Sequence, residues 1–384
     1  LANYSGYNKK KKLEGDIILK LKMIYADMPH EQNCSGHNIF NPNNAINKTG
    51  IHSSSYIHVN EFIQNSPETQ KSCMEADAII FERNFFQDAL TILQFYWVRA
   101  KPLIGIWDDG YSRLEKTNPA FPFWEHGEIK YKDEKGEEHT NIMNPKPLTQ
   151  MKYYLHMLKG AQVVSDALIE DWSPYIDCYK INNHLVMDRY KNVNAPLWPH
   201  PNTEIWIGWT GSLSHRYSFQ GSGLMMAYRK ICKKFPNVKI LITGDKKIYD
   251  ELDIPNNRKM FCGFVPADQY PALIKSLDIC TIPLAGEYDK RRSQIKPLEC
   301  LALKVPFIAT DYPNYNHLRP YGTFTENGKE NWENAITDAI ENLPMYREKA
   351  VDVGYPFALT QDIDLHVQER IDLYQKLIDK PYRY

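Results

Sequence analysis

At 384 residues the chain is longer than one ordinary hydrophobic core accommodates, so two domains are expected. Its 43% apolar and 24% charged residues are those of a globular protein, and 46 Lys and Arg against 47 Asp and Glu leave a net charge of −1. That balance lacks the basic excess that marks most nucleic-acid binders, although a local basic groove stays open. Seven scattered cysteines form no C-x-x-C pair, which argues for buried reduced thiols over a disulfide frame or a zinc site.

No apolar run approaches the ~20 residues that span a bilayer. The lysine-rich start, LANYSGYNKKKKLEGD, has no apolar signal core, so residues 1–15 read as a disordered basic lead-in to a cytoplasmic protein. From Asp16 short apolar runs alternate with amphipathic stretches. Strands are expected at Ile17–Tyr25, Ser55–Val59, Ala78–Phe81, Leu103–Trp107, Gln162–Ser165 and Cys178–Ile181, with helices such as Gln87–Arg99 and Leu148–Leu158 between them. This order predicts a parallel sheet covered on both faces in a domain over residues 16–195. Residues 111–150 interrupt it as an insertion that includes a polar hairpin turning at Lys135–Gly136. Phe121, Phe123 and Trp124 within it serve either a sugar face or a small satellite core.

The proline-punctuated stretch VNAPLWPHPNTE (193–204) reads as a linker. A second series follows over residues 205–355. Its strands are expected at Ile205–Trp209, Val238–Thr243, Lys259–Phe261, Ile279–Ile282 and Val305–Ala309, with helices around 221–235, 266–277, 294–303 and 330–341. Residues 356–384, with the amphipathic Asp362–Asp379, are expected to pack back on the first domain. The fold class is therefore α/β, with two Rossmann-like doubly wound parallel-sheet domains and a ligand cleft between the carboxyl ends of their strands.

Chemistry concentrates in the second half. DICTIPLAGEYDKRRSQIKPLECLALKVPFIATDYPNY (278–315) reads as strand, polar loop, helix opening near Ser293, strand. Lys296 and Glu299 lie three residues apart on one helix face near its N-terminus. Free N–H groups and the positive dipole end there suit a diphosphate, and a carboxylate one turn in suits ribose hydroxyls. In IGWTGSLSHRYSF (207–219), Gly211 permits close backbone approach, Ser212 can donate to a phosphate oxygen, and His215 and Arg216 can neutralise charge. LIGIWDDGY ends a first-domain strand with Asp108 and Asp109, adjacent carboxylates that on a strand point to opposite faces, which argues against a metal site.

The segments IGWTGSLSH, VKILITG, FCGFVPADQYPALIKSLDICTIPL and RRSQIKPLECLALKVPFIATD resemble, in order and spacing, the GT-B fold glycosyltransferases of the large retaining family 4. KGAQVVSDALIEDW and KINNHLVMDRY are similar to the passage that leads into that family's linker. The resemblance covers roughly residues 76 to 312. It implies a metal-independent enzyme with no cofactor, using a nucleoside diphosphate sugar as co-substrate and a glycan, lipid-linked, small-molecule or DNA acceptor.

Carried over residue by residue, the second glutamate of the family's motif, which holds the donor ribose, matches Glu299. The first falls on Arg291. The family's Arg and Lys in the first loop fall on Ser212 and Tyr217. His215, Arg216, Arg291, Arg292 and Lys296 are then the candidates to stabilise the leaving diphosphate, beside Ser293 and Gln294. The pairing of G-S-x-x-H with R-S-x-x-K-x-x-E resembles a divergent branch. Asp108 replaces a histidine near the transferred sugar, and Gly36 in CSGHN matches glycines that admit donor and acceptor. Catalytic roles are expected for Asp108, His215 and Lys296, in retaining transfer of a sugar to an acceptor hydroxyl. A binding protein that lost transfer and a sugar-nucleotide epimerase are the alternatives on the same fold.

Overall fold

The computed structural model describes residues 18–26, 34–83, 86–193, 196–198 and 200–382; the lead-in expected over residues 1–15 lies outside them. The first sheet contains β1 (Lys20–Tyr25), β2 (Ser53–His58), β3 (Ala78–Glu82), β4 (Leu103–Trp107), β7 (Gly160–Val163) and β8 (Cys178–Lys180). They run parallel in the order β2-β1-β3-β4-β7-β8. β5 (Glu128–Lys132) and β6 (Glu138–Ile142) form a separate antiparallel hairpin, whose Gly136 takes a φ of +81° in the turn. The second sheet contains β9 (Ile205–Thr210), β10 (Val238–Thr243), β11 (Lys259–Cys262), β12 (Ile279–Ile282), β13 (Phe307–Thr310) and β14 (Thr323–Thr325). Its order is β11-β10-β9-β12-β13-β14, again all parallel.

Both sheets bury both faces, which is why their central strands read as continuous apolar runs. On β3, Ile79 and Phe81 join one core while Ala78 and Ile80 join the core on the opposite face. On β4, Leu103 and Trp107 divide from Ile104 and Ile106 in the same way. In the second sheet, Ile279 faces the core of Trp209 and Ile242, whereas Cys280 and Ile282 face that of Leu298 and Leu301. Alternation along each strand places successive side chains on opposite faces.

Most expected strands are present within a few residues. β14 was not anticipated, because three residues are too short for any hydrophobic period to register. The last expected strand begins two residues later than read, at Phe307. The helix read from Ser293 runs Ile295–Ala302, with Pro297 in its first turn, where a missing N–H costs no hydrogen bond. The aromatic residues of the insertion serve packing: Trp124 is buried and stacks on Tyr111 at 4.2 Å, and Phe123 meets Phe86 at 5.4 Å.

The chain passes between the two halves twice. Leu185, Met187 and Tyr190 follow the first sheet yet belong to a core of the second. The helix Ile363–Asp379 follows the second sheet yet packs on the first, where Val367, Ile371, Leu373, Tyr374 and Leu377 join the core of Met23, Ile80 and Ile104. Tyr374 donates to Gln162 Oε1 at 3.0 Å. At Gly160 a Cβ would sit 2.7 Å from Leu377 Cδ2, so glycine lets the helix approach β7 without moving that side chain. Leu377→Ala leaves a cavity between helix and sheet, and the expected loss is about 3 kcal/mol in denaturant unfolding.

Candidate active site

The carboxyl ends of the two sheets face one cavity of about 650 Å³. Parallel strands deliver their loops to the same edge, which is why open α/β sheets hold ligands there. β9 and β10 supply its floor. Gly244 follows β10 with a φ of +89°, and a Cβ on it would lie 2.2 Å from the carbonyl oxygen of Gly211. These two glycines let the strand ends approach and bring backbone to the cavity.

The helix Ile295–Ala302 opens on this space. Ser293, Ile295, Lys296 and Glu299 line it. Lys296 Nζ donates to the carbonyl of Thr210, tying the helix to the end of β9. Burial lowers the Lys296 pKa, and Glu299 opposes that shift. Glu299 accepts from the Tyr190 hydroxyl at 3.0 Å. Burial pushes its carboxyl up to about 7, against the pull of Lys296 and of hydrogen bonds from Tyr190 and Tyr270. Tyr190 comes from the first crossover between the halves, and Tyr270 is held 2.9 Å from Thr210 Oγ1.

Arg292 and His215 form a second cluster. Arg292 stands 2.9 Å from Asp289, lies 4.6 Å over the Tyr288 ring, and donates to His215 Nδ1 at 2.7 Å. Burial, Arg292 and Lys296 hold the His215 pKa well below its usual value, so the ring is neutral and free to accept that hydrogen bond. Gly211, Ser212 and Ser214 complete this wall.

The first sheet contributes Cys34, His37, Asp108 and Asp109. The strand ends at Trp107, so Asp108 and Asp109 stand on the loop after β4, and both reach the cavity. Burial and the neighbouring Asp109 push Asp108 up to about 7. Its Oδ1 is buried with no protein partner. The thiol of Cys34 and the two carboxylates lie within 4.8 Å of one another, a donor set with the chemistry to take a cation. Behind this wall Glu82 accepts from Ser35, from Asn38 Nδ2 at 3.1 Å and from the Ala26 amide at 3.0 Å.

Eight of the residues singled out in the sequence thus converge: Asp108, Gly211, Ser212, His215, Arg292, Ser293, Lys296 and Glu299. Four others do not line the cavity. Arg216 makes a two-pronged pair with Asp245 at 2.8 and 3.0 Å. Gln294 is buried at the start of the donor-side helix, and Gly36 sits between the lining residues Cys34 and His37. Arg291 turns away to Asp171 of the first half, with two bonds at 2.8 and 2.9 Å, and to Glu287. Burial alone would raise the Asp171 pKa; Arg291 and Arg113 hold it below the usual value. Tyr190, Tyr270, Thr210 and Gly244 escaped the sequence reading as site residues. Tyr190 and Tyr270 lie in segments that carried the family resemblance, yet only their tertiary contacts give them a role.

Residues 204–343 match the family model described as glycosyl transferases group 1. No curated protein matches the chain in sequence. Among solved structures, sucrose-phosphate synthase from Thermosynechococcus elongatus is 12% identical with a TM-score of 0.62, over 94% of this chain and 99% of its own. HepE from Anabaena, in complex with UDP-glucose, is 14% identical with a TM-score of 0.62, over 93% and 99%. A glycosyltransferase from Rickettsia africae is 13% identical with a TM-score of 0.61, over 95% and 100%.

Two predictions follow from the buried charges. Folding raises the Glu299 pKa from 4.5 to about 7, so the folded state binds more protons between those values and stability falls as pH rises through them. Glu299→Gln removes this contribution, on the order of 3 kcal/mol across the window, as read by thermal melts of both proteins from pH 4 to 8. Arg291→Ala strips Asp171 of its better partner and is expected to cost about 3 kcal/mol in denaturant unfolding. The second half thus matches the model of group 1 glycosyl transferases, and the architecture of the whole is the GT-B fold that these structures share.

Proposed function

We propose that this protein moves a sugar from a nucleoside diphosphate sugar to an acceptor hydroxyl with retention of anomeric configuration, without a metal ion. One observation carries the reading. The N-terminus of the helix Ile295–Ala302, Lys296, Arg292 and the glycine floor converge on one side of the cavity, with Glu299 one turn further along. Diphosphate oxygens accept from the amides and the two cations, and ribose hydroxyls donate to Glu299. UDP-sugars are the first donors to test, since HepE, with the same fold, was solved with UDP-glucose.

In the transfer, the bond between the anomeric carbon and the diphosphate oxygen breaks, and the leaving group takes the electron pair. Lys296 and Arg292 stabilise the charge that develops there. The acceptor oxygen bonds to the anomeric carbon on the same face, and its proton passes to the departing diphosphate oxygen. No protein nucleophile is needed; the protein positions, neutralises and excludes water. His215, neutral and bonded to Arg292, orients that guanidinium. Asp108 offers its unpartnered oxygen to a sugar hydroxyl.

A thermal-shift screen with UDP-, GDP-, CDP- and dTDP-sugars identifies the donor, because a ligand stabilises the state it binds. Lys296→Ala is expected to lower kcat roughly a hundredfold with modest change in donor affinity. Glu299→Gln is expected to weaken donor binding about tenfold. Wild-type transfer in both variants rejects these roles. An inverted product in the anomeric NMR spectrum rejects retention, and product formed without acceptor points to an epimerase.

A further inference from the structure

We propose that the acceptor is an uncharged, hydroxyl-rich carbohydrate and that Asp108 and Asp109 turn anionic acceptors away; the inference rests on the transferase reading above. The cavity walls carry opposite charge. Arg292 and Lys296 are the lysine and arginine side chains among the described lining residues, and both belong to the second half. The wall of the first half presents Asp108 and Asp109 beside Cys34 and His37.

Charge counting leaves nothing for an acceptor anion. The diphosphate of a sugar nucleotide brings two negative charges, which the two lining cations match. Part of the Arg292 charge is already answered by Asp289 at 2.9 Å and by Asp109, which also accepts from Tyr288. Neighbouring cations are committed elsewhere. Arg83, which faces Asp108, donates to the Tyr111 hydroxyl at 3.2 Å; Arg291 pairs with Asp171 and Arg216 with Asp245. Residues 27–33, DMPHEQN, lead into Cys34 and contain no lysine or arginine. His37 is held neutral at physiological pH by burial and by Arg189 and Arg370, with its pKa pushed down to about 4.

A phosphate, sulfate or uronate set against this wall would meet the carboxyl groups of Asp108 and Asp109 at short range in a low-dielectric site, while the nearby cations Arg83, Arg189 and Arg370 are not among the described residues that line the cavity. A hydroxyl meets oxygens that accept its proton. Asp108 is nine-tenths buried, and its unpartnered Oδ1 is such an acceptor. Discrimination of this kind works by repulsion of the wrong ligand as much as by attraction of the right one. The same wall disfavours a nucleic-acid acceptor.

The test uses the full chain, the donor giving the largest thermal shift with its sugar labelled, and a chelator to keep cations off the carboxylates. Neutral oligosaccharides are arrayed beside their phosphorylated, sulfated and uronic counterparts and DNA. Label on neutral acceptors is expected to exceed label on anionic ones roughly tenfold or more. Asp109→Asn should narrow that ratio while donor stabilisation persists; the near-isosteric Asp108→Asn should narrow it too, read as a ratio because Asp108 also meets the transferred sugar. Equal or greater label on anionic acceptors, no label on neutral ones despite donor stabilisation, or an unchanged ratio in both variants overturns the inference. Loss of donor stabilisation in the wild type instead sinks the transferase reading.

Discussion

The guanidinium of Arg291, buried between the two halves and bonded to Asp171, seats the loop that carries Arg292 and leads into the helix of Lys296 and Glu299. Its backbone carbonyl also accepts from Ser165 Oγ at 3.2 Å, and its side chain packs on Gly110, where a Cβ would lie 2.9 Å from Cδ. Three residues upstream, the amide of Tyr288 donates to Glu115 at 3.3 Å. The loop that leads into the helix Ile295–Ala302 is thus seated in loops of the first half. A buried ion pair with several hydrogen bonds holds one geometry well, because each charge left alone there is costly. Arg292 is the next residue, and its direction into the cavity follows from that seating.

Seen this way, the departure at position 291 has a physical sense. An acid there would meet Asp171 at close range, with the more exposed Arg113 as the remaining counter-charge for both. The arginine converts the position from a cavity contact into a contact between halves, and the cationic work falls to Arg292 and Lys296. Both cations are kept by partners in the second half, Asp289 and the Thr210 carbonyl. The cavity is therefore cationic on the wall of the second half, where we propose that the donor phosphates bind, and acidic where the first half closes it.

The core of each half was legible because parallel strands covered on both faces leave unbroken apolar runs, as in Ala78–Glu82 and Ile279–Ile282. Lys296 and Glu299 were legible because helix spacing puts them near one N-terminus. His215 was legible through its loop, since a strand-end glycine and a short polar run mark backbone approach. Less local features were not. The role of Tyr190 depends on a crossover that delivers it to Glu299 from 109 residues away. β14 has too few residues to show a period, and only the path of the loop after Trp107 brings both Asp108 and Asp109 to the cavity.

By itself the sequence determined the two α/β halves, the helix that carries Lys296 and Glu299, and the glycine loop at Gly211, since each is a matter of local period, spacing or backbone freedom. Tertiary structure alone decided which cations face the cavity. Arg216, Arg291 and Arg292 are equivalent as letters, yet Asp245 and Asp171 draw the first two away and leave the third against His215. A long charged side chain goes where its buried counter-charge lies, and that position is set by contacts far apart in the chain.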